Sequence, residues 1–175
     1  MNNAFLSFRF TTSDGLSLHA KAYGPNDPCL PAVVCLPGLT RNARDFDGLA
    51  AHLSQNGFRV IAIDSRGRGL SDPARDAAEY NIVTEAEDVL AGLAALGVGR
   101  ASFIGTSRGG LILHMLTGMR PAALKAVVLN DVADFVSGQA ARSAQAFAEE
   151  RQRRWHSPGE RLRIAEDHPR QLIAE

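Results

Sequence analysis

The chain has 175 residues, 45% of them hydrophobic, with 19 basic and 19 acidic side chains and a formal net charge of zero. That length and apolar content point to one soluble domain with a sizeable core, and the charge balance removes the electrostatic case for nucleic acid or an anionic membrane surface as partner. Apolar runs such as AVVCL fall far short of the roughly 20 residues a bilayer span needs, and the first ten residues lack the charged-then-apolar order of a signal peptide, so no membrane partner and a cytoplasmic location are expected.

Residues 8–12 and 16–23 read as two antiparallel strands around Ser13-Asp14-Gly15, whose Asp-Gly pair suits the positive φ angles of a tight hairpin turn. Residues 32–36, AVVCL, are continuously apolar, as a strand buried on both faces of a parallel sheet would be. Cys35 within that run reads as a buried, inert thiol; Cys29 and Cys35 are too few for a disulfide framework and match no zinc spacing. After the Pro37-Gly38 loop, Phe46, Leu49, Ala50 and Leu53 fall at i, i+3, i+4 and i+7, predicting an amphipathic helix from Asp45 that stops at Gly57. The strand 58–63 follows, and then the loop DSRGRGLSDPARD. Ala86, Val89, Leu90 and Leu93 mark a second helix, residues 101–104 a strand, 107–119 a helix closed by Pro121, and 125–130 a sixth strand. This alternation predicts right-handed crossovers and an α/β fold with a mostly parallel sheet covered by helices on both faces.

Gly105-Thr106-Ser107-Arg108-Gly109 matches G-x-S-x-G where an apolar strand gives way to an apolar helix. A chain that turns this sharply forces the serine into a strained conformation, and side chains two residues to either side would collide in the corner. The turn lifts the hydroxyl above the sheet, close to the orphan N–H groups and positive dipole end of the helix. Ser107 is therefore the candidate nucleophile.

With these motifs in order, residues 5–131 resemble the N-terminal two-thirds of an α/β-hydrolase. The loop LPGLTRNARDF resembles the family's oxyanion loop, and DSRGRGLSD its D-x-R-G-x-G-x-S turn. Pro37 stands where many members carry histidine, a departure that leaves the backbone donors in place. The resemblance implies that the N–H groups of Leu39 and Arg108 form the oxyanion hole. It implies that Asp64, Arg66 and Ser71 hold their loop in shape. Gly67 and Gly69 do not make a dinucleotide fingerprint, because Asp72 replaces its third glycine. The Arg108 side chain is expected to be solvated, with an anionic substrate group as the functional alternative. The implied activity is hydrolysis of a carboxylic ester, lactone or similar bond of a small molecule through a Ser107 acyl-enzyme, without metal or organic cofactor. Serine at the elbow disfavours an aspartate-nucleophile dehalogenase or epoxide hydrolase.

In this family the triad follows the chain order serine, acid, histidine. His19 and His52 precede the elbow, and His114 lies two turns down the following helix. Asp131, after the sixth strand, is the candidate acid; His168, in the tail with His156, is the candidate base. About six of eight strands are present. Residues 1–131 read as a partial hydrolase core and 132–175 as a lid-like or aberrant helical tail. Its arginine-rich composition suggests a truncated or frame-shifted form of a longer hydrolase, whose last strand would be an uncovered edge open to self-association. A milder reading makes the tail the start of a helical lid. The rival function is a non-catalytic remnant or binding module that keeps the elbow and lacks a base.

Overall fold

The computed structural model describes residues 5–27 and 29–132. Strands β1 (Phe5–Thr11) and β2 (Ser17–Tyr23) form a hairpin. After it come β3 (Ala32–Leu36), helix α1 (Asp47–Gln55), β4 (Arg59–Ile63), α2 (Ile82–Ala95), β5 (Ala101–Thr106), α3 (Arg108–Met119) and β6 (Leu124–Asn130). The sheet order is β1-β2-β4-β3-β5-β6. β2 is antiparallel to both β1 and β4, and the pairs β4–β3, β3–β5 and β5–β6 are parallel. The expected α/β architecture with six strands is therefore the observed one.

Strand β3 shows why both faces of the sheet are apolar. Val34 and Leu36 join Ile61, Phe103, Val89 of α2 and Leu113 of α3 in one core. Their neighbours Val33 and Cys35 point the other way, into a second core with Val60, Ala62, Phe46 and Ala50 under α1. Burial pushes the Cys35 thiol up to about 12, so it stays protonated and inert near neutral pH.

Two local expectations need correction. The hairpin turn is not the two-residue type with positive φ at both Asp14 and Gly15. Among the non-glycine residues described, only Ser107 and Asp131 have positive φ, while Gly15 alone in this turn takes it, at 84°. The Gly15 N–H donates to Thr12 O and the Thr12 N–H to Leu16 O, giving a longer loop closed by one left-handed glycine. The first helix also starts later than its spacing implies. Asn42 accepts from the Arg44 N–H and caps a 3₁₀ turn over Ala43–Phe46, and α1 proper begins at Asp47. Leu49, expected on the buried face, is 41% exposed, and Ala51 is buried.

Beyond its pairing with β5, strand β6 has no further partner strand among the described residues. Its Val128 is 47% exposed.

Candidate active site

β5 delivers Ser107 to the surface. It pairs in parallel with β3 up to Gly105 and with β6 up to Thr106, and α3 begins at the very next residue after Ser107. The serine absorbs the whole change of direction, with φ 50° and ψ −112°, a conformation that strains any residue with a Cβ. Two glycines make the corner passable. A Cβ on Gly109 would stand 2.1 Å from Leu36 O, and one on Gly105 would stand 2.7 Å from the Gly109 carbonyl carbon. The Ser107 N–H donates to Asn130 O at 2.9 Å, which ties the elbow to the end of β6.

This backbone predicts a trade of stability against chemistry. The strained φ costs about 1–3 kcal/mol, and glycine loses about 0.5–1 kcal/mol more on folding than alanine. Ser107→Gly should therefore be more stable than Ser107→Ala by roughly 1 kcal/mol. Denaturant melts of the two variants measure it, and equal midpoints would mean that the elbow is unstrained.

The loop after β3 passes beside the serine. A Cβ on Gly38, the residue before Leu39, would lie 3.7 Å from Ser107 Cβ and 3.8 Å from Thr106 O. Arg108 occupies the first turn of α3, where helical N–H groups have no intrahelical acceptor. Its side chain is not solvated, contrary to expectation. Nε and Nη2 grip the two oxygens of Glu85 at 2.8 and 2.9 Å, and Nη2 also donates to Tyr80 O. Glu85 lies in the first turn of α2 and is 2% exposed. With its fork committed to a buried carboxylate, Arg108 fixes the start of α3 and is not free for an anionic substrate group.

Arg68 extends this anchor to the loop after β3. Its Nε donates to Leu39 O at 2.9 Å and Nη1 to Arg66 O at 2.8 Å. Its guanidinium lies 5.2 Å from the Tyr80 ring centroid and 3.9 Å from Glu85. Behind it, the D-x-R-G turn is built around two charges. Asp64 accepts from the Ala43 and Leu70 N–H groups and from His19 Nδ1. Arg66, 1% exposed, makes a bidentate pair with buried Asp88 and reaches Asp14. Burial pushes the Asp88 carboxyl up and Arg66 opposes it, while the Asp88 carboxylate holds Arg66 firmly protonated.

The candidate acid Asp131 and the histidines are placed less completely. Asp131 is exposed, with φ 55°. Its two neighbours both touch the elbow: Asn130 through the Ser107 N–H, and Val132 through Gly110, where a Cβ would be 2.3 Å from Val132 Cγ2. His156 and His168 lie outside the described residues. His52 is exposed on α1, and His114 is half-buried on α3, where burial pushes its pKa down. Among the described residues no histidine is hydrogen-bonded to Ser107. A histidine–carboxylate pair is present between His19 of β2, three positions from β5 in the sheet order, and Asp64 at the end of β4, two positions from it.

A surface depression of about 360 Å³ is lined by Thr40, Arg41, Asn42, Arg44, Asp45 and Asp47 and does not include Ser107. It is a polar hollow in the loop between β3 and α1, unlike the mostly apolar pockets that hold small ligands. Among the described residues no helix is long and apolar enough to cross a membrane, and no group of three or more His, Cys, Asp or Glu side chains gathers as a metal site.

The sequence matches the alpha/beta hydrolase fold family over residues 31–172. The chain belongs to that family. The 3-hydroxybutyrate-oligomer hydrolase of Cupriavidus necator is 37% identical over 132 residues, which are 74% of this chain and 45% of that protein. The non-heme chloroperoxidase of Streptomyces lividans is 41% identical over 100 residues, 57% of this chain and 35% of its own. Among solved structures, an alpha/beta hydrolase from Novosphingobium aromaticivorans superposes with a TM-score of 0.68 at 47% identity, covering 73% of this chain and 44% of that one. The match thus spans less than half the length of each of these three proteins.

Proposed function

We propose that the chain carries the nucleophile and oxyanion hole of a serine hydrolase that cleaves a carboxylic ester, lactone or similar bond of a small molecule. The observation that carries this reading is the strained Ser107 at a strand-to-helix corner that only Gly105 and Gly109 allow. Ser107 Oγ attacks the carbonyl carbon, its proton passes to a base, and the N–H groups of Leu39 and Arg108 receive the oxyanion. The acyl-enzyme is then hydrolysed by water. Asp131 is the acid of this reading and His168 the base. The family match running on to residue 172 supports treating the tail as the family's own sequence, the beginning of a lid. The relatives support a hydrolase and do not choose among substrates. The free cysteines favour a reducing, cytoplasmic setting, and the side of β6 that has no partner strand among the described residues favours self-association.

One observation favours a second reading, a non-catalytic module with an intact elbow: no described histidine reaches Ser107. Hydrolysis of p-nitrophenyl butyrate by the full chain separates the two. Activity that falls by roughly 10⁴-fold or more in both Ser107→Ala and His168→Ala supports the enzyme and its base. Activity lost in Ser107→Ala but kept in His168→Ala removes His168 from the role. A folded chain without turnover supports the module.

A further inference from the structure

The histidine–carboxylate pair that does not serve Ser107 serves another serine. His19 Nδ1 is 2.7 Å from Asp64 Oδ2, and His19 Nε2 is 2.8 Å from Ser7 Oγ. His19 and Asp64 are 2% and 3% exposed, whereas Ser7 is exposed on the edge strand β1. The register explains the meeting. Arg9 pairs with His19 and Ser7 with Lys21, so Ser7 and His19 are diagonal neighbours on one face of the hairpin. Asp64 follows directly after β4, the strand next to β2.

The polarity of the two contacts follows from the donors. The Asp64 carboxylate already accepts the Ala43 and Leu70 N–H groups, and an ionised carboxylate can only accept. His19 Nδ1 must therefore carry the hydrogen that faces it. In the neutral imidazole Nε2 is left with its lone pair toward Ser7, and the Ser7 hydroxyl donates to it. That is the order of groups that activates a serine: hydroxyl, basic nitrogen, and a carboxylate fixing the tautomer. Burial of His19 behind Ser7 keeps water from taking the hydroxyl's place.

We propose that Ser7 is a second activated hydroxyl in this chain, a covalent modification site for small activated acyl or phosphonyl donors, with His19 as its base and Asp64 orienting that base. With a fluorophosphonate, Ser7 Oγ bonds to phosphorus, fluoride leaves, and His19 Nε2 takes the hydroxyl proton, so that hydrogen fluoride is lost overall. Ser7 is exposed and no described residue walls it in, so the donor must be reactive in its own right and small enough to meet a sheet edge.

The experiment uses the full chain and does not depend on Ser107. Trypsin releases residues 1–9, MNNAFLSFR, in which Ser7 is the only hydroxyl-bearing residue, and residues 10–21, which carry the exposed Ser13. After treatment with a fluorophosphonate, mass spectrometry should find residues 1–9 modified at least about 100-fold faster than residues 10–21, the lower end of what a positioned general base supplies. His19→Gln should remove that advantage. Because His19 is buried and its replacement can disturb the fold, Ser7→Cys gives an independent readout at an exposed position. The introduced thiol should react with iodoacetamide at least about 10-fold faster at neutral pH than the exposed Cys29 of the same molecule. Equal modification of the two peptides, or a thiol no faster than Cys29, would overturn the proposal.

Discussion

Gly109→Ala should destabilise the chain by about 3 kcal/mol, the upper end of what overpacking costs, and lower its melting temperature by roughly 10 °C for a domain of this size. The added methyl would fall 2.1 Å from Leu36 O and 2.7 Å from the carbonyl carbon of the same residue. Those atoms are backbone of β3, a central strand paired on both sides, and cannot rotate away as a side-chain tip could. Relief requires α3 to lift off the sheet, which opens the contacts of Ile112, Leu113 and Leu116 in the main core. Gly48→Ala is the matched control. It lies in α1 with nothing within 4 Å of the added atom, so alanine should stabilise by about 0.5–1 kcal/mol through helix propensity. A melt in which the two substitutions shift the midpoint alike would show that the corner is looser than described.

Arg66→Ala should cost about 3–5 kcal/mol, the usual result of stranding a buried charge. Arg66 is 1% exposed, Asp88 is 4% exposed, and the two are joined by bonds of 2.8 and 2.7 Å. Asp14 and Glu79 also approach the guanidinium at 3.0 and 3.6 Å, so its removal leaves three carboxylates around one hole. The double variant Arg66→Leu with Asp88→Leu should recover much of the loss, because a well-packed apolar pair is often as stable as a buried ion pair. Urea unfolding of the two variants checks this. A single-variant loss below about 1 kcal/mol would place the pair among weak surface contacts.

The elements that were legible in the chain were those whose pattern is local. AVVCL runs uninterrupted because β3 is buried on both faces, and its limits in the structure coincide with those of the apolar run. The elbow was legible because its two glycines, its serine and both flanking elements lie within one short stretch. What the pattern hid was pairing across long separations. Arg108 looks solvated on its turn because its partner Glu85 lies 23 residues away. A signal was nevertheless present: Glu85 and Asp88 sit on the same stripe of α2 as Val89, Gly92 and Leu93, all buried. Carboxylates on an apolar stripe demand buried cations, and Arg108 and Arg66 supply them. His19 precedes the elbow in the chain, yet the antiparallel pairing of β2 with β1 and with β4 brings it to Ser7 and Asp64. Asp-Gly is compatible with more than one hairpin turn, and the choice depends on the Thr12 and Leu16 backbone bonds.

Ser107 as an activated nucleophile is the claim on which the functional account stands. The most direct measurement treats the folded full chain and Ser107→Ala with a fluorophosphonate and maps the adducts by mass spectrometry. The account predicts a phosphonylated peptide 101–108 in the native chain and its loss in Ser107→Ala, whatever happens at residues 1–9. A folded native chain that carries no adduct on residues 101–108 would contradict it.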